Sequence, residues 1–244
     1  MLKVAIVTGH SRGLGAALAA ALVQAQYRVL GLARSVEVSG KLTDIRQVAL
    51  DLADADAVSA WLAGADLADF VAAADEIWLF NNAGTVVPNA LCGHQGAAQI
   101  ARAVQLNVTA PMQLADALLR LRPARAAVNI VHISSGAGRR AMLGWSVYGA
   151  TKAALDLHAQ VLAAEQHAQV RVVSLAPGVV DTQMQAAIRG SDEAGFPCGN
   201  SLSICNSTAV WCLPRIRPIR LWLGCTVLVL ARMSWLISVL CVCE

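Results

Sequence analysis

Residues 3–15 read Lys3-Val4-Ala5-Ile6-Val7-Thr8-Gly9-His10-Ser11-Arg12-Gly13-Leu14-Gly15. A run of apolar, strand-favouring residues stops at a glycine-rich turn, and the Ala/Leu-rich stretch Leu14–Ala25 of helical length starts at once. Glycines let a backbone turn sharply and let a phosphate approach the amide groups, while the helix N-terminus adds a favourable dipole. The spacing is G-x-x-x-G-x-G, not the standard G-x-G-x-x-G fingerprint. Its place between a strand and a helix favours a dinucleotide-binding turn over a plain tight one.

The pattern repeats outward from this turn. Apolar runs read as buried strands at Lys3–Thr8, Arg28–Ala33, Gln47–Leu50, Glu76–Asn81, Ala127–Ser134 and Val170–Ala176. Between them lie helical stretches such as Ala97–Leu121 and Val147–His167. Strands alternating with helices predict an α/β fold: a single doubly wound parallel sheet, Rossmann-like, with helices on both faces. Ligands of such a sheet bind at the carboxyl ends of its strands.

Composition divides the chain into residues 1–195, read as the cofactor-binding domain, and an atypical tail, 196–244. Of 46 alanines, 44 lie in 1–195, whereas six of the seven cysteines follow position 196. Asp and Glu are missing between Glu193 and Glu244. A disulfide framework does not suit the cytosolic character of the rest, and Cys241-x-Cys243 is too tight for the usual zinc spacing. Leu221–Cys243 is long enough for one bilayer crossing, but Arg232 in mid-span costs roughly 2.5–3.5 kcal/mol. An out-of-frame tail accounts for the break, with a genuine core or lid segment as the competing reading.

Charge and hydropathy exclude other classes. The apolar fraction is 57% and the mean hydropathy +0.55, unlike a disordered chain. A net charge of +3 without a basic run argues against nucleic acid. The apolar start Val4–Val7 stops short of a secretory signal, so a cytoplasmic location is expected.

The chain resembles the short-chain dehydrogenase/reductase family over residues 1–190, with the motifs in the family's order. The turn carries Gly9, Ser11, Arg12, Gly13, Leu14 and Gly15, and Asp51-Leu52 stands where the family contacts the adenine ring. Asn81-Asn82-Ala83-Gly84 matches the motif after the fourth strand, and Asn107 the helix asparagine. Ser135 and Tyr148-Gly149-Ala150-Thr151-Lys152 match the catalytic serine and the Tyr-x-x-x-Lys pair. Pro177-Gly178-Val179-Val180-Asp181-Thr182 matches the loop that holds the nicotinamide carboxamide, placing Pro177, Gly178, Val180 and Thr182 at the cofactor. This loop and Ile133-Ser134-Ser135-Gly136-Ala137 are similar to the sepiapterin reductase and benzil reductase branch.

The chemistry also follows from the residues. Tyr148 and Lys152 are four apart in a helical segment and project from one face, although alone they read as an ordinary surface pair. A tyrosine titrates near 10, too high for easy proton exchange at neutral pH. An ammonium roughly 4 Å away, at an effective dielectric of about 20, favours the phenolate by about 4 kcal/mol, with desolvation pulling the other way. Tyr148 is therefore expected near neutrality as general acid, with a hydroxyl at the end of strand five orienting the carbonyl. The 13-residue separation usual in the family selects Ser135 over Ser134 for that role. The resemblance gives Asn107 a helix kink and a water relay to Lys152.

An NAD site usually carries an acid about 20 residues beyond the glycines. Here Arg34 follows Gly15 by 19 residues, with Ser35 beside it and Arg12 in the turn itself. Two guanidiniums suit a 2′-phosphate, so NADP(H) is expected, with Glu37 dissenting.

His10 is read as a solvated loop residue, His158 and His167 as helix surface, Trp61 and Trp78 as core, and Cys92 as inert. Trp145 is read as either core or pocket wall. The expectation is an NADPH-dependent reductase of a small-molecule carbonyl substrate (ketone, diketone or pterin side chain), with no metal, nucleic-acid or membrane partner. The resemblance implies a homodimer or homotetramer. The alternatives are a non-catalytic NADP(H)-binding sensor on the same scaffold, or a protein made inactive by its tail.

Overall fold

In the computed structural model of the protein, residues 1–36 and 44–177 are described. Among the described residues, six strands form one parallel sheet: β1 (Lys3–Thr8), β2 (Arg28–Ala33), β3 (Ile45–Ala49), β4 (Glu76–Asn81), β5 (Ala127–Ile133) and β6 (Val170–Leu175). Their order is β3-β2-β1-β4-β5-β6. The order reverses between β1 and β4, which is where a doubly wound sheet opens a crevice at its carboxyl edge. Helices α1 (Gly13–Gln24), α2 (Ala55–Ala63), α3 (Asp66–Val71), α4 (Ala97–Val104), α5 (Ala110–Leu121) and α6 (Ser146–Ala164) connect them.

Alternation along the strands builds two core layers. Val4, Ile6, Leu30, Leu79 and Ile130 face α2, α3 and α5, meeting Val58, Phe70 and Leu114. Ala5, Val7, Val29, Trp78 and Phe80 face the other way, meeting Leu18 and Leu22 of α1. Each large side chain fully buried in these layers stabilises the fold by about 1.5–3 kcal/mol.

Several features depart from the sequence reading. First, β3 begins at Ile45 rather than Gln47. Second, the single helix expected over Ala97–Leu121 is broken by a π-turn at Gln105–Thr109, which widens the helix by one residue at Asn107. Third, His10 is fully buried and pairs through Nε2 with Gln47 Oε1 at 2.9 Å, so it is no solvated loop residue. Trp78 is core as expected, and Cys92 is an exposed free thiol. No helix among the described residues is long and apolar enough to cross a membrane.

Candidate active site

The carboxyl ends of β1, β2, β4 and β5 open into a cleft of about 850 Å³, within the ~300–1,000 Å³ typical of cofactor and ligand sites. Gly9, Ser11, Arg12, Gly13, Leu14 and Gly15 form one wall, and Asn82, Ala83 and Gly84 the floor. Arg34, Ser35, Asp51 and Leu52 lie at one end; Ser135, Tyr148, Lys152 and Pro177 lie at the other. Gly178, Val180 and Thr182, like Glu37 and the 196–244 tail, fall outside the described residues.

The glycine turn is pinned from β4. Thr8 Oγ1 accepts from the Asn82 and Ala83 N–H groups, each at 2.9 Å. The Asn82 side-chain amide donates to Thr8 O at 2.9 Å. A β-carbon on Gly15 would stand 2.1 Å from Gly9 O and 2.5 Å from Asn82 Nδ2, so only glycine fits there. Helix α1 starts from an extended Arg12, with neither a side-chain cap nor an acid in its first turn. A close-packed turn before an uncapped helix N-terminus suits a pyrophosphate.

At the far end, Arg34 and Ser35 are exposed just past β2. Asp51 accepts from the Ala53 N–H at 3.0 Å and from Arg102 Nη2, also at 3.0 Å. Burial pushes the Asp51 carboxyl up, but the Ala53 N–H and the Arg102 guanidinium outweigh it and hold the carboxyl below its ordinary value, with Arg34 adding to the effect. Arg102 and Gln99 of α4 also line the cleft, which sequence reasoning missed. Their residue types carry no motif; only the fold brings α4 across to Asp51.

The opposite end holds Ser135, Tyr148 and Lys152. Ser135 caps the short 3₁₀ turn Gly136–Gly138 by accepting from the Ala137 N–H at 3.2 Å, and its hydroxyl hydrogen-bonds Tyr148. Ser134 turns inward instead and donates to Lys152 O at 3.4 Å. Thus Ser135, not Ser134, meets the phenol. A β-carbon on Gly149 would lie 2.9 Å from Ala137 O, so glycine next to Tyr148 lets the Ser135 turn press onto α6. Trp145 lines the cleft; its ring meets the Tyr148 ring edge-on at 5.1 Å and its Nε1 donates to Asn89 Oδ1 at 3.1 Å.

Lys152 Nζ donates to Ile133 O at 2.8 Å and lies 5.8 Å from the Tyr148 ring centroid. Here the electrostatic expectation is corrected. Burial raises the Tyr148 phenol above its ordinary value, and the Ser135 hydrogen bond only partly offsets it. Burial also pushes the Lys152 ammonium down to about 8, against the pull of Asp156. Desolvation wins for both groups.

Asn107 is 0% exposed and sits within the π-turn. Its Nδ2 donates to Thr85 O at 2.8 Å and Thr151 Oγ1 at 3.1 Å, while Oδ1 accepts from the Thr85 N–H at 2.9 Å. The side chain thereby clamps the segment after β4 onto α6, with Gly84 passing over Asn107 Oδ1 and Lys152 Nζ. His158, read as surface, is half-buried and pairs with His132 at 3.1 Å, whereas His167 is exposed beside Glu165.

The short chain dehydrogenase family model matches residues 3–193. The chain is 34% identical over 201 residues to a benzil reductase ((S)-benzoin forming) of Bacillus subtilis, covering 80% of this chain and 82% of the relative. It is 30% identical to a sepiapterin reductase of Xenopus tropicalis, covering 75% and 76%. A crystal structure of a short-chain dehydrogenase/reductase from Burkholderia vietnamiensis superposes with a TM-score of 0.70 at 47% identity, covering 78% of this chain and 91% of that one. This chain therefore belongs to the short chain dehydrogenase family and is an oxidoreductase that works with a nicotinamide cofactor, NAD or NADP.

Proposed function

We propose that the protein is an NADPH-dependent reductase of small carbonyl compounds, with residues 1–195 as its catalytic domain. The observation that carries this reading is the hydroxyl pair Ser135–Tyr148 at one end of a cleft whose other end bears Arg34. The relatives named benzil reductase and sepiapterin reductase support a ketone, diketone or pterin side chain as substrate. The family resemblance supports a cytoplasmic homodimer or homotetramer.

The cleft suits the cofactor. The packed Gly9–Gly15 turn would hold the pyrophosphate at the start of α1, and Arg12, Arg34 and Ser35 the 2′-phosphate. Asp51 and Leu52 would border the adenine, and Asn82, Ala83 and Gly84 the floor beneath the dinucleotide. Pro177, with Gly178, Val180 and Thr182, would hold the carboxamide. When bound, NADPH supplies the hydride. Ser135 then orients the substrate oxygen by a hydrogen bond, and Tyr148 donates the phenolic proton to it as negative charge develops. Lys152 stays charged, holds the nicotinamide ribose and stabilises the phenolate left behind. Asn107 fixes Thr85 and Thr151 and so keeps the proton route behind Lys152 in place.

The test is oxidation of NADPH, followed by absorbance, with a panel of diketones, quinones and aldehydes. Tyr148→Phe should lower kcat by about 10²–10⁴-fold, the usual worth of a general acid, with NADPH affinity retained. Equal turnover in both proteins would overturn the mechanism. NADPH bound without turnover of any carbonyl would point to a sensor.

A further inference from the structure

Behind the site, one helical turn past Lys152, lies a buried carboxylate. Asp156 is four residues on from Lys152 in α6, so the two share a face. Its side chain is 10% exposed and that of its partner Arg139 19%. Arg139 Nε donates to Asp156 Oδ2 at 2.8 Å and Nη2 to Oδ1 at 3.3 Å. Ser174 of β6 donates to Oδ1 at 2.5 Å. Three donors from two residues hold this carboxylate ionised: burial pushes it up, but Arg139 and Ser174 outweigh burial and keep it below its ordinary value, with Ser134 adding to the effect.

We propose that Asp156, held by Arg139, is a positioning residue that sets the charge state of Lys152. The groups facing Lys152 can be followed element by element. Strand β5 supplies the Ile133 carbonyl, the Ser134 hydroxyl and the buried imidazole of His132. The π-turn supplies the Asn107 amide, and β6 the Ser174 hydroxyl bound to Asp156. Helix α6 itself supplies the Tyr148 phenol and the Asp156 carboxylate. Among these described groups only Asp156 is an anion. It is the group that opposes burial and keeps Lys152 from losing its proton at neutral pH. Arg139, whose guanidinium neutralises the carboxylate from the far side, limits how strongly it does so. The sequence placed no function on either residue.

This inference rests on the role proposed for Lys152, and it is tested without turnover. The chain contains three lysines, Lys3, Lys41 and Lys152, so selective ¹³Cε labelling gives three side-chain resonances. Loss of one in Lys152→Met assigns the site. Each full-length, cofactor-free protein is titrated by NMR. The wild-type Lys152 midpoint should lie near 8. Asp156→Asn should move it to lower pH by about one unit, a tenfold weaker hold on the proton. Arg139→Gln should move it the opposite way, because it leaves the carboxylate uncompensated. Simple loosening of the region would hydrate the lysine and move both variants upward. Unchanged midpoints, or both variants moving together, would overturn the proposal. Should Asp156→Asn not fold, the Arg139→Gln midpoint together with Asp156→Glu, expected to titrate like wild type, decides the matter. Lys152 titrating as expected in a protein that reduces no carbonyl would leave this inference standing and remove the enzymatic one.

Discussion

Acidification should unfold this protein through His132. The imidazole is fully buried on β5, between Asn81 and His158. Asn81 Nδ2 donates to His132 Nδ1 at 3.1 Å, so the proton sits on Nε2 and is donated to His158 Nδ1, also at 3.1 Å. A second proton on Nδ1 would face the Asn81 amide hydrogens. Burial first, then the neighbouring His158 and Lys152 charges, push the imidazole from 6.5 down to about 3, against Asp156. A folded-state value below the unfolded one means that unfolded chains bind the extra proton first. The stability contribution is complete above pH 6.5 and drains away as pH falls toward 3. At about 1.4 kcal/mol per pH unit, the loss at pH 5 amounts to about 2 kcal/mol. His132→Gln keeps an acceptor for Asn81 and a donor for His158 but does not titrate. Urea unfolding followed by tryptophan fluorescence, at pH 7 and pH 5, gives the two free-energy differences. The wild type should lose about 2 kcal/mol more than the variant on acidification, whatever the variant costs at pH 7. Equal losses in both proteins would refute the claim that a neutral, buried His132 is the acid-sensitive group.

Other perturbations test the site. Gly15→Ala places a methyl 2.1 Å from Gly9 O, so the turn must open; NADPH affinity, read by ligand fluorescence, should fall about tenfold or more, about 1.4 kcal/mol, with secondary structure by circular dichroism retained. Asn107→Ala removes three hydrogen bonds and strands the Thr85 N–H and C=O; a loss of about 2–4 kcal/mol should appear in urea unfolding. Arg34→Ala should weaken NADPH about tenfold, the worth of one charge-assisted phosphate contact of about 1.4 kcal/mol, and leave NADH nearly unchanged; equal loss for both would remove Arg34 from the 2′-phosphate.

Much of this arrangement could be read from the sequence because it depends on local chemistry. The bounds of β1, β2 and β4 coincide with the apolar runs, since a strand buried on both faces has no alternative pattern. The edge strand β3 carries the exposed Arg46 between Ile45 and Gln47, which interrupts the apolar run and hides the strand's start. The π-turn at Gln105–Thr109 leaves no mark in periodicity, because a hydrogen-bond slip of one residue keeps the same residue types. Their polarity points His10 and His158 to solvent, but their partners, Gln47 and His132, lie 37 and 26 residues away, where local sequence does not reach. The four-residue spacing put Tyr148 and Lys152 on one face, but the direction of each group's pKa is set by burial, which spacing does not encode.

That direction bears on which way the proposed reaction runs. A phenol raised by burial holds its proton throughout the neutral range, as reduction requires of its donor. Oxidation would need the phenolate as acceptor, and the same burial opposes it. The developing alkoxide of a reduced carbonyl is a far stronger base than any phenolate, so a raised Tyr148 still gives up its proton once charge appears beside Ser135. Lys152, at about 8, keeps its charge at neutral pH and loses it just above, so the charge that must stabilise the newly formed phenolate disappears before the phenol itself titrates. On the proposed mechanism the alkaline limit on reduction would be set by the lysine and by the Asp156 carboxylate behind it, while the raised phenol keeps Tyr148 in its proton-donating form at neutral pH.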